Sequence, residues 1–168
     1  GWNVYEFNSS PNEYFNLHTV IKKNDSSAEI SIYTYDLSGE MIDLTTDKFA
    51  EYMYELGHDQ EFDFYKKLDS TEVELTKNVK FWAIEEQWKR QYLDYRTTGV
   101  EYFLVHRGVG YAIYAQSASD EWSSLKPEIE KIIASFKIDG TIDGTVEKKL
   151  LAEATQTPQA NTEKQQFN

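Results

Sequence analysis

The sequence predicts an α+β fold in which a central antiparallel β-sheet carries helices on both faces. The segment from Gly110 to Ala115 is apolar on both alternating faces, so it belongs in a sheet that is covered on both sides. Polar residues follow, and apolar residues then recur at the spacing of one helical face. These residues are Trp122, Leu125, Ile129, Ile132, Ile133 and Phe136. The order of the remaining segments, mostly strands arranged as hairpins, completes an α+β pattern.

Composition excludes several classes of function. A chain of 168 residues suits one domain, and a net charge of −12 argues against a partner that is nucleic acid or an anionic membrane. There is no cysteine, which excludes disulfides, thiolate metal sites and a cysteine nucleophile and fits an exported bacterial protein. No run approaches the ~20 apolar residues of a membrane span, so we expect no direct membrane insertion of this segment.

The first third of the chain is predicted to form three strands and a helix. Alternating apolar residues indicate strands over residues 2–7, 15–21 and 30–34, and the last two are joined as a hairpin by a polar turn. Thr46 or Asp47 is suited to cap the helix that follows. Its apolar face is predicted to comprise Phe49, Tyr52, Met53 and Leu56.

The middle of the chain allows two interpretations. Residues 62–75 suggest two short strands around a turn at 69–71. Residues 79–96 fit one long bent strand, which we favour because 97–99 then form the turn of a hairpin into strand 100–105. A helix remains the alternative for 79–96, because four apolar residues there also have helical spacing. They are Ile84, Trp88, Tyr92 and Tyr95.

The end of the chain contains a long helix and then a polar tail. We expect Ser124 to cap the helix, because Pro127 then falls in the first turn, where the missing N–H costs nothing. Residues 1–139 are predicted to form the globular domain. Residues 140–168 form a polar C-terminal tail that carries a short helix at 146–154.

These features together resemble the PsbP-like family. The resemblance covers residues 1 to about 138 and rests on the opening Gly1-Trp2 and the helix after the first hairpin. It rests most on the ending, where the strand 110–115, a variable loop and Ile129 to Ile133 close with Ser135-Phe136. It implies an α/β/α sandwich, which is also the fold of a Ran-binding nuclear import factor. It further implies mostly non-enzymatic docking or assembly roles, and it supplies no catalytic residues.

The residues themselves show no catalytic or metal-binding pattern. The three histidines are far apart in sequence and lack metal-ligand spacing, so we predict no metal and no cofactor. Glu85 and Glu86 lie near two tryptophans and suggest a glycosidase pair. Adjacent residues of a strand point to opposite faces, however, so these two carboxylates cannot flank one bond.

The arginines are the one uneven feature of the composition. All three fall within residues 90–107 of an acidic chain and alternate with aromatic residues, a combination typical of interface hot spots. The predicted partner-binding residues are Trp88, Arg90, Tyr92, Tyr95, Arg96 and Arg107. The alternative is that these arginines pair locally with Glu86, Asp94 and Glu101 across a hairpin.

The sequence therefore predicts a non-enzymatic, extracytoplasmic domain of a bacterial surface protein or lipoprotein that binds or assembles with an unknown protein partner. A small-ligand-binding protein with an aromatic cleft near Trp82 and Trp88 is the alternative, and a hydrolase is the third hypothesis. A deep pocket lined by these tryptophans would favour the alternative. The chain begins at Gly1 without a methionine, which leaves room for an anchor upstream.

Overall fold

A computed structural model describes residues 1–7, 15–37, 41, 43–58, 62–76 and 79–135. Strands and helices follow one another in the order that the sequence predicts for the α+β class. The elements are β1 (Trp2–Glu6), β2 (Phe15–Lys23), β3 (Glu29–Asp36), α1 (Thr46–His58), β4 (Phe62–Thr76), β5 (Val79–Arg90), β6 (Thr97–His106), β7 (Val109–Ala118) and α2 (Ser119–Ile133).

The seven described strands form a single antiparallel sheet in the order β1-β2-β3-β7-β6-β5-β4. The chain builds one half as β1-β2-β3, crosses over through α1, and builds the other half from β4 back to β7. Strand β7 then pairs with β3 in the centre, where Ile113 lies opposite Ile32. The central strands are therefore the ones whose two faces are both apolar, as the sequence predicts.

The two helices pack on opposite faces of the sheet, which confirms the predicted fold class. Helix α1 lies against β5 and β6, and α2 lies against β6 and β7. Neighbouring residues of β6 show the alternation: Phe103 meets Phe49 of α1 edge to face at 5.7 Å, whereas Tyr102 points towards Glu130 of α2. We call the two sides of the sheet the α1 face and the α2 face.

Each face has its own core. On the α2 face the fully buried residues include Ile30 of β3 and Ile129 and Ile133 of the helix. The α1 face has a cluster around the ring of Phe49, and its buried members are Leu37, Phe49, Ala50, Ile84, Phe103 and Ala112. Gly110 makes room for that ring, because a Cβ there would come within 2.5 Å of Phe49.

Two strand predictions require correction. Residues 79–90 are a strand, as favoured, but the connection to β6 runs through residues 91–96, and 97–99 already pair with β5. The predicted turn at 69–71 is part of one long strand, β4. Register shifts interrupt its pairing with β5 at three places, including 67/69, so β-bulges accommodate the polar residues that suggested a turn.

The helices also differ from the prediction at their ends and faces. Helix α2 begins at Ser119 and not near Ser124, so Pro127 lies inside it, where it has no N–H to give the carbonyl four residues earlier. In α1, Tyr52 and Leu56 are exposed, whereas Ala50 is buried beside Phe49. The buried face is therefore rotated from the predicted one. The Phe136 position, the domain boundary near Gly140 and the helix at 146–154 lie outside the described residues.

A short turn joins β6 to β7. Arg107 and Gly108 both have positive φ, at 52° and 74°, which is the geometry of a type I′ hairpin turn. Among the described residues, neither helix is long and apolar enough to cross a membrane.

Candidate functional site: a cleft on the half-covered α1 face

The α1 face carries a cleft of about 590 Å³ between the C-terminal half of α1 and the sheet. Helix α1 is anchored over one end of β6, where Thr46 Oγ1 accepts a hydrogen bond from the backbone N–H of Val105 at 3.1 Å. It ends at His58, beyond Met53, Tyr54 and Gly57, which all line the cleft. Helix α1 has 13 residues, and among the described residues it is the helix that packs on this face.

Two carboxyl groups from neighbouring strands meet in the cleft. Strand alternation places Glu86 of β5 and Glu101 of β6 on the α1 face, and their side chains are hydrogen-bonded to each other. Glu86 is only 3% exposed, and it also accepts a hydrogen bond from the hydroxyl of Tyr65. These two glutamates and Tyr65 form what we call the carboxyl pair and its tyrosine.

The environment of the carboxyl pair disfavours two negative charges. Burial raises the pKa of Glu86 to about 7, partly offset by its hydrogen bond with Glu101. Burial raises the pKa of Glu101 well above its usual range, and the charge and hydrogen bond of Glu86 raise it further. Two ionised carboxylates cannot hydrogen-bond to each other, so the contact requires that the pair share a proton.

Aromatic side chains form most of the cleft wall. They are Tyr33 and Tyr35 from β3, Tyr54 from α1, Phe62 and Tyr65 from β4, Trp88 from β5 and Tyr114 from β7. The rings contact one another at angles rather than in stacks: Tyr33 meets Tyr114 at 5.3 Å, and Tyr54 meets Tyr65 at 5.6 Å. Such edge-to-face contacts hold each ring in place, so the wall is preformed.

Two tyrosine hydroxyls are desolvated at the back of this wall. The Oη atoms of Tyr35 and Tyr114 lie 3.4 Å apart. Burial raises the pKa of Tyr35 to about 12, and burial together with the nearby charge of Glu101 raises the pKa of Tyr114 well above its usual range. Both hydroxyls therefore stay protonated and act as neutral hydrogen-bonding groups.

A glycine in β6 creates the place for Trp88. A Cβ on Gly99 would lie 2.6 Å from the backbone oxygen of Ala115 and 2.8 Å from the Trp88 ring. The indole therefore packs closely against the neighbouring strand and is only 8% exposed. Trp82, the other tryptophan of the predicted cleft, instead packs against the Phe49 core and donates its Nε1–H to Ser70 Oγ at 2.9 Å.

Four of the predicted partner-binding residues lie together at the β5–β6 connection. Arg90 donates a hydrogen bond to Tyr92 Oη at 2.6 Å and lies 5.9 Å from the ring of Phe62. Arg96 lies 4.4 Å from the ring centre of Phe64. Tyr92 and Tyr95 are 66% and 44% exposed. We call Arg90, Tyr92, Tyr95 and Arg96 the arginine–tyrosine surface.

The other two predicted residues do not join this surface. Trp88 is buried and lines the cleft. Arg107 lies in the turn at the far end of β6, roughly 30 Å along the strand from Arg96. The sequence suggested Glu86, Asp94 and Glu101 as local partners of the arginines. In the structure, Glu86 and Glu101 contact each other.

Glu85 and Glu86 lie on opposite faces, as strand alternation predicts. Glu85 faces α2, where its carboxylate accepts hydrogen bonds from Trp122 Nε1 at 3.1 Å and from Lys126 Nζ at 2.7 Å. The partner of Glu86 is instead Glu101, which sequence reasoning missed. The available signal was that Glu101 is the one charged residue between Thr97 and Val105, a segment otherwise suited to a buried strand.

The acids of the cleft are too few to suggest a metal centre. Within the described ranges, no group of three or more histidine and acidic side chains is arranged to hold a metal ion. The site instead offers a protonated carboxyl pair, neutral tyrosine hydroxyls and aromatic rings. Such a surface can bind an organic molecule through ring contacts and a few directed hydrogen bonds.

Comparison with known proteins identifies the fold and leaves the activity open. No protein-family model matches the chain, and no curated protein matches its sequence. Among solved structures, the chain is similar to PA94, a protein of unknown function from Pseudomonas aeruginosa. Their TM-score is 0.57 at 11% identity, and the match covers 83% of this chain and 99% of that one.

Two further solved structures are similar over most of the chain. One is the cyanobacterial PsbP of Synechocystis, with a TM-score of 0.49, 13% identity and 82% of each chain covered. The other is LpqN of Mycobacterium tuberculosis, described as involved in cell envelope biogenesis, with a TM-score of 0.44, 12% identity, and 77% of this chain and 79% of that one covered. A PsbP is thus among the solved structures to which the chain is similar. At 11% identity, the likeness to PA94 is one of fold alone.

Proposed function

We propose that this domain is a non-enzymatic binding protein that holds a small organic ligand in the cleft of the α1 face. The observation that carries the proposal is the aromatic cleft of about 590 Å³ with the Glu86–Glu101 carboxyl pair in it. Ligand sites in proteins typically measure ~300–1,000 Å³ and combine apolar walls with a few convergent polar groups. This is the alternative hypothesis from the sequence, with Trp88 as the tryptophan that lines the cleft.

The carboxyl pair supports binding rather than hydrolysis. The two carboxyl groups of a glycosidase lie at least ~5 Å apart, because the sugar or a water molecule must fit between them. Glu86 and Glu101 are in direct hydrogen-bond contact, so no scissile bond fits between them. Glu86 is also held in position by Tyr65, whose hydroxyl donates a hydrogen bond to its carboxylate.

Ligand-observed NMR with a library of aromatic and aliphatic small molecules tests the proposal, and calorimetry then gives affinities for the hits. We expect hits whose binding weakens at least ~10-fold in Tyr33→Ala, because the Tyr33 ring forms part of the wall. Tyr52→Ala is the matched control, since Tyr52 is a 42% exposed tyrosine of α1. The absence of any hit at millimolar concentration, or equal weakening in both variants, would contradict the proposal.

A second candidate function is docking of a protein partner on the arginine–tyrosine surface. The observation that favours it is the exposure of Tyr92 and Tyr95 beside an arginine stacked on Phe64. Arg is weakly hydrated and stacks on rings, so such a surface loses little on desolvation. Its positive charge within a chain of net charge −12 would orient an acidic partner towards it.

Docking is tested separately from the cleft with the double variant Tyr95→Ala/Arg96→Glu, which leaves cleft-lining Arg90 and its partner Tyr92 unchanged. We expect the variant to keep the fold and the small-ligand affinity but to lose a partner that the wild-type domain binds in pull-down and cross-linking experiments. Retention of that partner by the double variant would contradict this second function.

An extracytoplasmic location is part of the proposal. It is supported by a chain of 168 residues that contains no cysteine, since an exported protein without cysteine needs no oxidative folding machinery. Fractionation of the source bacterium with an antibody against the domain tests it. Recovery in the envelope or the medium is expected, and recovery with the cytosolic fraction would contradict it.

A further inference from the structure

We propose that the ligand of the cleft is an organic cation: a small amine with an apolar or aromatic body, whose ammonium group is received by Glu86 and Glu101. This inference rests on the proposed function and specifies its ligand class. It depends on the placement of a carboxyl pair, with Glu86 buried and Glu101 half-buried, within a wall of aromatic rings in one cavity.

The carboxyl pair is suited to an ammonium group. Glu86 and Glu101 offer four carboxylate oxygens within one small volume, and Tyr65 holds Glu86 in position. An ammonium group has three donors and no acceptor, so it can hydrogen-bond both carboxylates at once. A neutral ligand would leave the pair as it is, whereas a cation would take the place of the proton that the pair holds.

The aromatic wall favours the same class of ligand. The faces of Trp, Tyr and Phe rings attract cations when these are removed from water. Two rings of the wall already contact cations of the protein: Lys67 Nζ lies 3.8 Å from the ring centre of Tyr54, and the guanidinium of Arg90 lies 5.9 Å from that of Phe62. The apolar body of an amine would fill the space between the rings.

The charges around the carboxyl pair do not already neutralise it. Tyr54 of α1, Tyr65 of β4 and Tyr114 of β7 face the pair as neutral phenols. Arg90 lines the cleft, but its guanidinium donates to Tyr92 and lies against Phe62 at the β5–β6 connection. Lys67 pairs with Glu51 of α1 at 3.2 Å. Among the cations that the structure describes in this region, Arg90 and Lys67 therefore have other partners, which leaves the charge of the pair for a ligand to balance.

Three ligands that differ only in charge test this inference: phenethylamine, 2-phenylethanol and phenylacetate. Calorimetry at pH 7.5 is expected to show phenethylamine binding at least ~10-fold more tightly than the alcohol, with phenylacetate the weakest. Amine binding should release protons, measured as a difference in apparent heat between phosphate and Tris buffers. The alcohol should release none.

Two variants assign the effect to the carboxyl pair. Glu101→Gln is expected to reduce the preference for the amine to less than ~3-fold and to abolish proton release. Glu72→Gln removes an exposed acid of β4 that pairs with Lys80 of β5. It should leave both the preference for the amine and the proton release unchanged. Glu86→Gln repeats the test from the other carboxyl group.

The outcomes separate this inference from the proposed function. Equal affinity for the amine and the alcohol, with both weakened by Tyr33→Ala, would overturn the cation inference and leave the cleft as a ligand site. Preference for phenylacetate would overturn it in favour of recognition by Arg90. If none of the three compounds binds, and no other hit emerges from the library, both proposals are wrong.

Discussion

The two faces of the sheet are covered to different extents. On the α2 face, Ile129 and Ile133 of the helix are fully buried, and polar contacts seal its margins, such as Glu121 with Ser26 and Ser27. On the α1 face, the shorter helix covers only the Phe49 cluster, and the rest is a cleft. The face that carries the helix of 15 residues therefore has a closed core, and the face that carries the helix of 13 residues has an open cleft.

The α1 face has a closed half, packed around Phe49, and an open half, which contains the cleft. In each half, a glycine of the sheet makes room for an aromatic ring. Gly110 of β7 lacks a Cβ where the ring of Phe49 lies, and Gly99 of β6 lacks one where the ring of Trp88 lies. The first ring comes from a helix and completes a core. The Trp88 ring comes from the sheet itself and lines the cleft. The closed half should therefore carry stability, and the open half should carry binding.

The largest expected effect is on the closed half. Phe49→Ala should lower the free energy of unfolding by about 3–5 kcal/mol, because it removes a fully buried ring that contacts Tyr35 and Phe103. Urea denaturation measures the loss. Tyr52→Ala, on the exposed side of the same helix, should cost less than about 1 kcal/mol. Similar losses in the two variants would mean that α1 does not pack as described.

A smaller loss is expected at the junction between the halves. Gly99→Ala should cost about 1–3 kcal/mol, because its Cβ meets a backbone oxygen, which cannot move cheaply, as well as the Trp88 ring. The tryptophan emission spectrum should change with it. Gly57→Ala in α1 has open space around it and should instead stabilise by about 0.5–1 kcal/mol. A neutral Gly99→Ala would contradict the described position of Trp88.

The open half should weaken the fold at high pH. The pKa values of Glu86 and Glu101 are raised in the folded state, so the folded protein holds more protons than the unfolded one. Their contribution is therefore fully present below the ordinary glutamate pKa. That of Glu86 is lost as pH rises to about 7, and that of Glu101 continues to fall above this. Glu101→Gln should thus raise the free energy of unfolding by about 1–3 kcal/mol at pH 8.

This gain should shrink at pH 5, where the wild-type pair is protonated in the fold. Urea denaturation of both proteins at the two pH values measures it. Comparing the proteins at each pH removes the effect of other acids, such as Glu121 and Glu128, whose pKa values are lowered by hydrogen bonds. A destabilising Glu101→Gln at pH 8 would show that the pair is ionised and stabilised in some other way.

The smallest effect is expected away from both faces, in the turn between β6 and β7. Arg107 has φ of 52°, a conformation that costs a side chain such as arginine more than it costs asparagine. Arg107→Asn should stabilise by about 0.5 kcal/mol, measured as a small rise in melting temperature, and should leave ligand affinity in the cleft unchanged. A change in that affinity would link this distant turn to the site.

The sequence was most informative where one physical requirement dominates. The doubly apolar segment at 110–115 and the helical spacing after it had no competing interpretation, and both elements form. The separation of Glu85 from Glu86 also followed from strand alternation alone. Boundaries were less predictable: α2 begins five residues before Ser124, because Ser119 N–H bonds the backbone oxygen of Arg96. That contact joins segments 23 residues apart and leaves no local pattern.

The site was predictable only in part, because it is built from contacts between strands. Trp88 was expected near a cleft, but the pairing of Glu86 with Glu101 requires the register of β5 against β6. The predicted turn at 97–99, in place of the observed connection at 91–96, does not give this register, because residues 97–99 are themselves paired with β5. The tyrosines of the wall come from four elements, and each looks in sequence like an ordinary core residue.

The opposite orientations of Glu85 and Glu86 have a consequence for the kinds of sequence change that this fold tolerates. A single-residue insertion or deletion within β5 would move every residue beyond it to the opposite face of the sheet. Glu85, the partner of Lys126, would then face the cleft, and Glu86 would face α2. Substitutions in β5 act one side chain at a time and are far less severe. Length variation between homologous chains should therefore be concentrated in the connection 91–96, which lies outside the ladder, while β5 keeps its length even where its residues change.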